Sequence, residues 1–121
     1  MITIQHTDHA DLNIVTTDDV HVVEKIDQHS FGSITCGNLS IDQKIDQHSA
    51  DADDPNAAPL MIRASGTVTI GQKIDQHCKV TIVAANLLIG QGISQHCIVR
   101  YRVSGTVQLG TIDDNCDVQA F

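Results

Sequence analysis

The sequence predicts an all-β fold, a single-stranded parallel β-helix of about 19 residues per coil. Three observations predict it. A short motif recurs along the chain at a near-constant step. A second apolar motif keeps pace with it. The apolar residues between them alternate with period 2, and nothing shows a sustained helical period with caps.

The first motif is Lys25-Ile-Asp-Gln-His-Ser30, which returns at Lys44 to Ser49, at Lys73 to Cys78 and, more loosely, at Gly92 to Cys97. A fifth, decayed copy is Ile112-Asp-Asp-Asn-Cys116. The isoleucines stand at 26, 45, 74, 93 and 112, so the steps are 19, 29, 19 and 19. The long step is one repeat plus an insertion, Ala50 to Pro59, which is acidic, contains proline and has no apolar period. It reads as a loop projecting from one coil of a single domain spanning residues 1–121.

The second motif is Gly37 to Gln43, matched by Gly66 to Gln72, Ala85 to Gln91 and Gly105 to Thr111. Stepping back from Ile26 places Val20-His-Val22 in a degenerate first copy. A third alternating stretch completes each unit, as in Val80-Thr-Ile82 and Val99 to Val103. Segments rich in Ile, Val, Leu and Thr favour strands. Each unit therefore folds into a coil of three sides, each about five residues or about 17 Å long, stacked about 4.8 Å from the next. Five to six coils are expected, wound right-handed as parallel crossovers usually are.

In such a stack equivalent residues form columns. Ile26, Ile45, Ile74, Ile93 and Ile112 are expected to form one interior ladder. Ser30, Ser49, Cys78, Cys97 and Cys116 form another, and Leu39, Val68, Leu87 and Val107 a third. A narrow aliphatic interior explains how 121 residues with only 2% aromatics build a core.

The formal charge of -8 and the scarcity of aromatics exclude a nucleic-acid binder. The first 24 residues hold no Lys or Arg and no long apolar run, so no signal peptide and no membrane insertion are expected. The last three cysteines fall 19 residues apart, as inward positions of a repeat do, and they read as buried thiols of a cytoplasmic protein rather than a disulfide framework.

Strict alternation through Ile-Asp-Gln-His-Ser puts Ile and Ser inward, Asp and His outward, and Gln inward or at a corner, where stacked amides form a ladder. The outward column His29, His48, His77 and His96 is the strongest candidate for chemistry. Imidazoles about 4.8 Å apart on neighbouring strands suit Zn²⁺ or a similar divalent ion, the only cofactor indicated. Asp27, Asp46 and Asp75 run in a parallel column that would orient the imidazoles. The other reading is a solvated His/Asp surface repeated by duplication. Lys25, Lys44 and Lys73 stack beside the acids and offset their repulsion. His6-Thr-Asp-His9 reads as a polar N-terminal segment, and Asp51 to Asp54 as a solvated loop without the Gly and Glu of a Ca²⁺ site. A convex row with no pocket does not suggest an enzyme.

In repeat length, three-sided coil and absence of a signal peptide, the pattern from about residue 20 onward resembles the bactofilins, bacterial cytoskeletal polymers built from a short β-solenoid. The nearest segment to their Val-x-Gly-x-Ile repeats is Gly66-Thr-Val-Thr-Ile70, in a different order. The resemblance implies a solenoid whose ends stack. The expected function is thus a non-enzymatic, self-associating scaffold. The alternatives are a metal- or ligand-binding module using the His column, and a piece of a larger fibre or carbohydrate-active β-helix.

Overall fold

The computed structural model describes residues 1–121 and contains no helix, hence none long and apolar enough to cross a membrane. The chain winds into a parallel β-solenoid with three ladders. The first face is a six-stranded sheet of Ile2–Ile4, Val20–Val22, Leu39–Ile41, Thr67–Ile70, Asn86–Ile89 and Val107–Gln108. The second face pairs Thr7–Asp8 with Ile26–Asp27, and Lys73–Ile74 with Gly92–Ile93 and Thr111–Ile112. The single bridges Ile26–Ile45 and Ile45–Ile74 join the two parts. The third face is a six-stranded sheet of Ile14–Val15, Ser33–Cys36, Leu60–Ala64, Lys79–Ala84, Ile98–Val103 and Asp117–Ala120.

Register follows the repeat. Leu39 pairs with Val68, Val68 with Leu87 and Leu87 with Val107, so like lies on like. The inward residues of all three faces merge into one cluster of 24 buried side chains. Within it Ile26, Ile45, Ile74 and Ile93 are each 0% exposed. Branched aliphatics in identical stacked positions fill the axis without aromatics. The ladder expectation needs correction at its end. Ile112 keeps its register but is 40% exposed, and Cys116 is only half-buried, because no coil follows to cover them.

The corner after each of the first four ladder isoleucines departs from alternation. Gln28 and His29 have φ of 44° and 61°, and the Gln-His pairs at 47/48, 76/77 and 95/96 repeat this left-handed geometry. The Ser30 N–H closes the turn on the Asp27 carbonyl at 3.2 Å. Two successive left-handed residues reverse which side chains face inward. Two expectations fall as a result. Asp27, Asp46 and Asp75 are not outward but buried, at 4%, 1% and 3% exposure. Gln28 and Gln95 are exposed and Gln47 and Gln76 half-buried, so no inward amide ladder forms. These residues link coils through their backbone instead: the N–H groups of His29, His48 and His77 donate to the carbonyls of Gln47, Gln76 and Gln95.

The alternation of Ser and Cys in the last position of the motif also gains a reason. Ser30 and Ser49 hydroxyls donate to the Asp27 and Asp46 carbonyls at 2.6 and 2.8 Å. The Cys78 and Cys97 thiols make the equivalent bonds to Asp75 and Ser94 at 3.0 and 3.1 Å. Either short donor satisfies the corner.

Candidate functional site

The buried aspartates and the surface histidines belong to different structures. Each aspartate turns one oxygen back to the backbone: Asp27, Asp46 and Asp75 accept from the N–H of Gln28, Gln47 and Gln76, each at 2.9 Å. The other oxygen faces a cation from the preceding coil. Lys25 Nζ lies 3.5 Å from Asp46 Oδ2, and Lys44 Nζ lies 3.5 Å from Asp75 Oδ2. His6 takes the lysine's place one coil earlier, with Nε2 3.5 Å from Asp27 Oδ2 and 3.0 Å from Asp8. Buried carboxylates with their acceptor capacity used this way hold coils together. They do not orient the imidazole column as the sequence suggested.

The histidines do stack. Ring centroids are 5.4 Å apart for His29–His48, 4.8 Å for His48–His77 and 5.1 Å for His77–His96. The column has a fifth ring, His9, 5.4 Å from His29. It escaped the sequence reading because the first coil lacks a residue at this corner: Thr7 and Asp8 pair with Ile26 and Asp27, yet His9 stacks on His29. The signal was present in the His-x-x-His spacing, read there as a polar segment. Below His96 the column ends in Asn115, whose amide lies 3.4 Å from the His96 ring nitrogen Nε2.

The inserted loop, residues 50–59, is held by contacts with the next coil. It folds back over the centre of the column. The Ala52 N–H donates to the His77 carbonyl at 2.7 Å, and Lys79 Nζ donates to the carbonyls of Asp54 and Ala57 at 2.9 and 2.8 Å. This seats two carboxylates on two neighbouring rings. His48 Nδ1 is 3.0 Å from Asp51 Oδ1 and 3.7 Å from Asp53 Oδ2, and His77 Nδ1 is 2.8 Å from Asp53 Oδ1. The hydrogen bond from His48 holds the Asp51 carboxyl below the usual carboxylate range. His48 and His77 are half-buried, whereas His9, His29 and His96 are exposed.

All four cysteines are free thiols; burial pushes the Cys78 thiol well above its ordinary value, while the hydrogen bond with Cys78 holds the Cys97 thiol below its own. A groove of about 340 Å³ on the third face is lined by Thr16, Thr35, Cys36, Arg63 and Ala64 among others. Its one thiol, Cys36, is likewise raised by burial.

Fold and site together define a class: a three-sided parallel β-solenoid carrying a continuous imidazole stack. Compared with protein-family models, with curated proteins and with solved structures, the chain matches none.

Proposed function

We propose that this protein is a non-enzymatic scaffold that assembles end to end with copies of itself. The observation carrying this reading is the state of the two end coils. Ile2 is 37% exposed, Val107 37% and Ile112 40%, while their column neighbours Val20, Leu87 and Ile93 are 1%, 0% and 0% exposed. Strand edges with unpaired backbone groups and open apolar ladders call for a partner.

A second copy fits that requirement in register. The first face begins at Ile2 and ends at Val107, and the second begins at Thr7 and ends at Ile112. Setting one copy's first coil on another's last coil extends each column by one step of the kind already present five times on the first face. The resemblance to bactofilins carried the same expectation. The free thiols suit a reducing compartment such as the cytoplasm.

The joint also has a liability. Asp8 of the incoming coil would follow Asp113, and Thr111 stands where a lysine stands in the coils that end at Asp46 and Asp75. Like charges without an intervening cation repel, and salt screens them. Sedimentation velocity should therefore show species that grow with protein concentration and grow further with added NaCl. The double variant Val107→Lys/Ile112→Lys should sediment as a monomer. A wild-type chain that stays monomeric at its highest soluble concentration, in low and high salt alike, overturns the reading.

A further inference from the structure

We propose that His48, His77, Asp51 and Asp53 form a binding site for a zinc-type divalent ion, completed by the insertion that only one coil carries. The inference stands apart from end-to-end assembly, since all four residues lie in the middle of the solenoid.

The Nδ1 atom of His48 carries at most one hydrogen, yet carboxylate oxygens of Asp51 and Asp53 face it at 3.0 and 3.7 Å. Asp53 also turns its other oxygen to His77 Nδ1 at 2.8 Å. Two carboxylates and two imidazole nitrogens thus converge on one spot, a set of donors that a divalent cation can bridge. The donor atoms of His48, Asp51 and Asp53 all lie within 4.8 Å of one another. Four ligands at about 2.0–2.2 Å in a tetrahedron have donor–donor gaps of about 3.3 Å, so these three must close up and His77 must swing in to join them. The His48 and His77 rings are nearly parallel, at 6°, with centroids 4.8 Å apart, and both turn Nδ1 to the loop, so each must tilt toward the other to bring both nitrogens onto one ion.

The chemistry of the set selects the ion. Two imidazoles and two carboxylates suit Zn²⁺ and its neighbours, whereas Ca²⁺ and Mg²⁺ want oxygen alone. The loop is held in place before any ion arrives. The Asp53 N–H donates to Asp51 Oδ1 at 3.0 Å, and Lys79 grips the Asp54 and Ala57 carbonyls without entering the donor set. The ion is held by a pair of rings and the loop, while His29 and His96 serve the stack alone.

The test is calorimetric titration of the chelator-stripped 121-residue chain with ZnCl₂, with Co²⁺ absorption as a second readout of coordination. One Zn²⁺ per chain is expected, with tetrahedral Co²⁺ bands of high intensity. Asp51→Asn/Asp53→Asn should weaken Zn²⁺ binding at least tenfold and abolish those bands, and His29→Ala/His96→Ala should leave the affinity within about twofold. Melting curves in chelator separate loss of binding from loss of fold: both variants should melt cooperatively. Absence of Zn²⁺ binding by the wild type overturns the proposal. So does binding unchanged by the Asp51/Asp53 pair, or binding lost equally in the His29/His96 pair, which would put the ion along the stack.

Discussion

Lys44 reaches forward one coil to Asp75, its Nζ 3.5 Å from Oδ2 of a carboxylate that is only 3% exposed. The second oxygen of Asp75 accepts from the Gln76 N–H at 2.9 Å and from the Ser94 hydroxyl of the next coil at 2.7 Å. One side chain therefore ties together three successive coils.

Removing that carboxylate strands an ammonium, an amide and a hydroxyl. Asp75→Ala should lower unfolding stability by about 3 kcal/mol, since unsatisfied buried partners are expensive. Asp75→Asn keeps an oxygen for the Gln76 N–H and should lose about half as much. Lys44→Met, with Lys44 partly in solvent, should lose about 1 kcal/mol. Urea unfolding of the three variants measures the order. If Asp75→Ala matches the wild type, the aspartate is not the tie described.

At the C-terminal edge the pH dependence has a definite sign. The Arg100 guanidinium lies 2.7 Å from Asp117 Oδ2 and holds that carboxyl below its ordinary 3.8. A group whose pKa is depressed in the folded state adds stability above its unfolded value and loses it as pH falls through the folded one. The pairing of Asp117–Ala120 with Ile98–Val103 should thus be best held above pH 3.8 and loosen below it. Carbon NMR titration of the Asp117 carboxyl should give a midpoint under 3.8, rising toward the ordinary value in Arg100→Met, where the Gln119 hydrogen bond remains. An identical midpoint in both proteins would contradict the ion pair.

One column offers an internal comparison. Ile74 is 0% exposed between Ile45 and Ile93, whereas Ile112 is 40% exposed on the last coil. Ile74→Ala leaves a cavity and should destabilise by about 2–5 kcal/mol. Ile112→Ala in dilute, monomeric protein should cost under about 1 kcal/mol, because much of its surface is already in water. Equal losses would mean that the last coil is covered in solution.

The ladders were legible because a step of 19 residues and β-branched side chains at 26, 45, 74 and 93 leave little else to build. The corner was not. Two-residue left-handed turns announce themselves through Asn-Gly or Asp-Gly, and here they are made of Gln and His. Stacking overrides local preference at Gln28-His29, and the aspartates turn inward with it. His9 was lost to a missing residue in the first coil. The meeting of Asp51 and Asp53 with His48 and His77 had no sequence signal, since the insertion has no period. Its position depends on Lys79, which the motif does not include.

The strain at those corners is itself testable. Gln95 has φ of 56° and an exposed side chain, so its side chain adds little while its Cβ disfavours the backbone. A left-handed non-glycine residue carries about 1–2 kcal/mol, and glycine's extra freedom in the unfolded chain takes back about 0.5–1 kcal/mol. Gln95→Gly should therefore raise stability by about 0.5 kcal/mol. The equivalent residue of the fifth copy, Asp114, is not among the positive-φ residues. Its corner closes with the Cys116 N–H on the Asp113 carbonyl at 3.0 Å, and the His96 N–H turns to the Asn115 side chain in place of a backbone carbonyl. With no strain to relieve, Asp114→Gly should lower stability by about 0.5–1 kcal/mol. Thermal melts of the two variants should move in opposite directions. Shifts of the same sign would mean that the left-handed corner carries no strain or that it extends into the last coil.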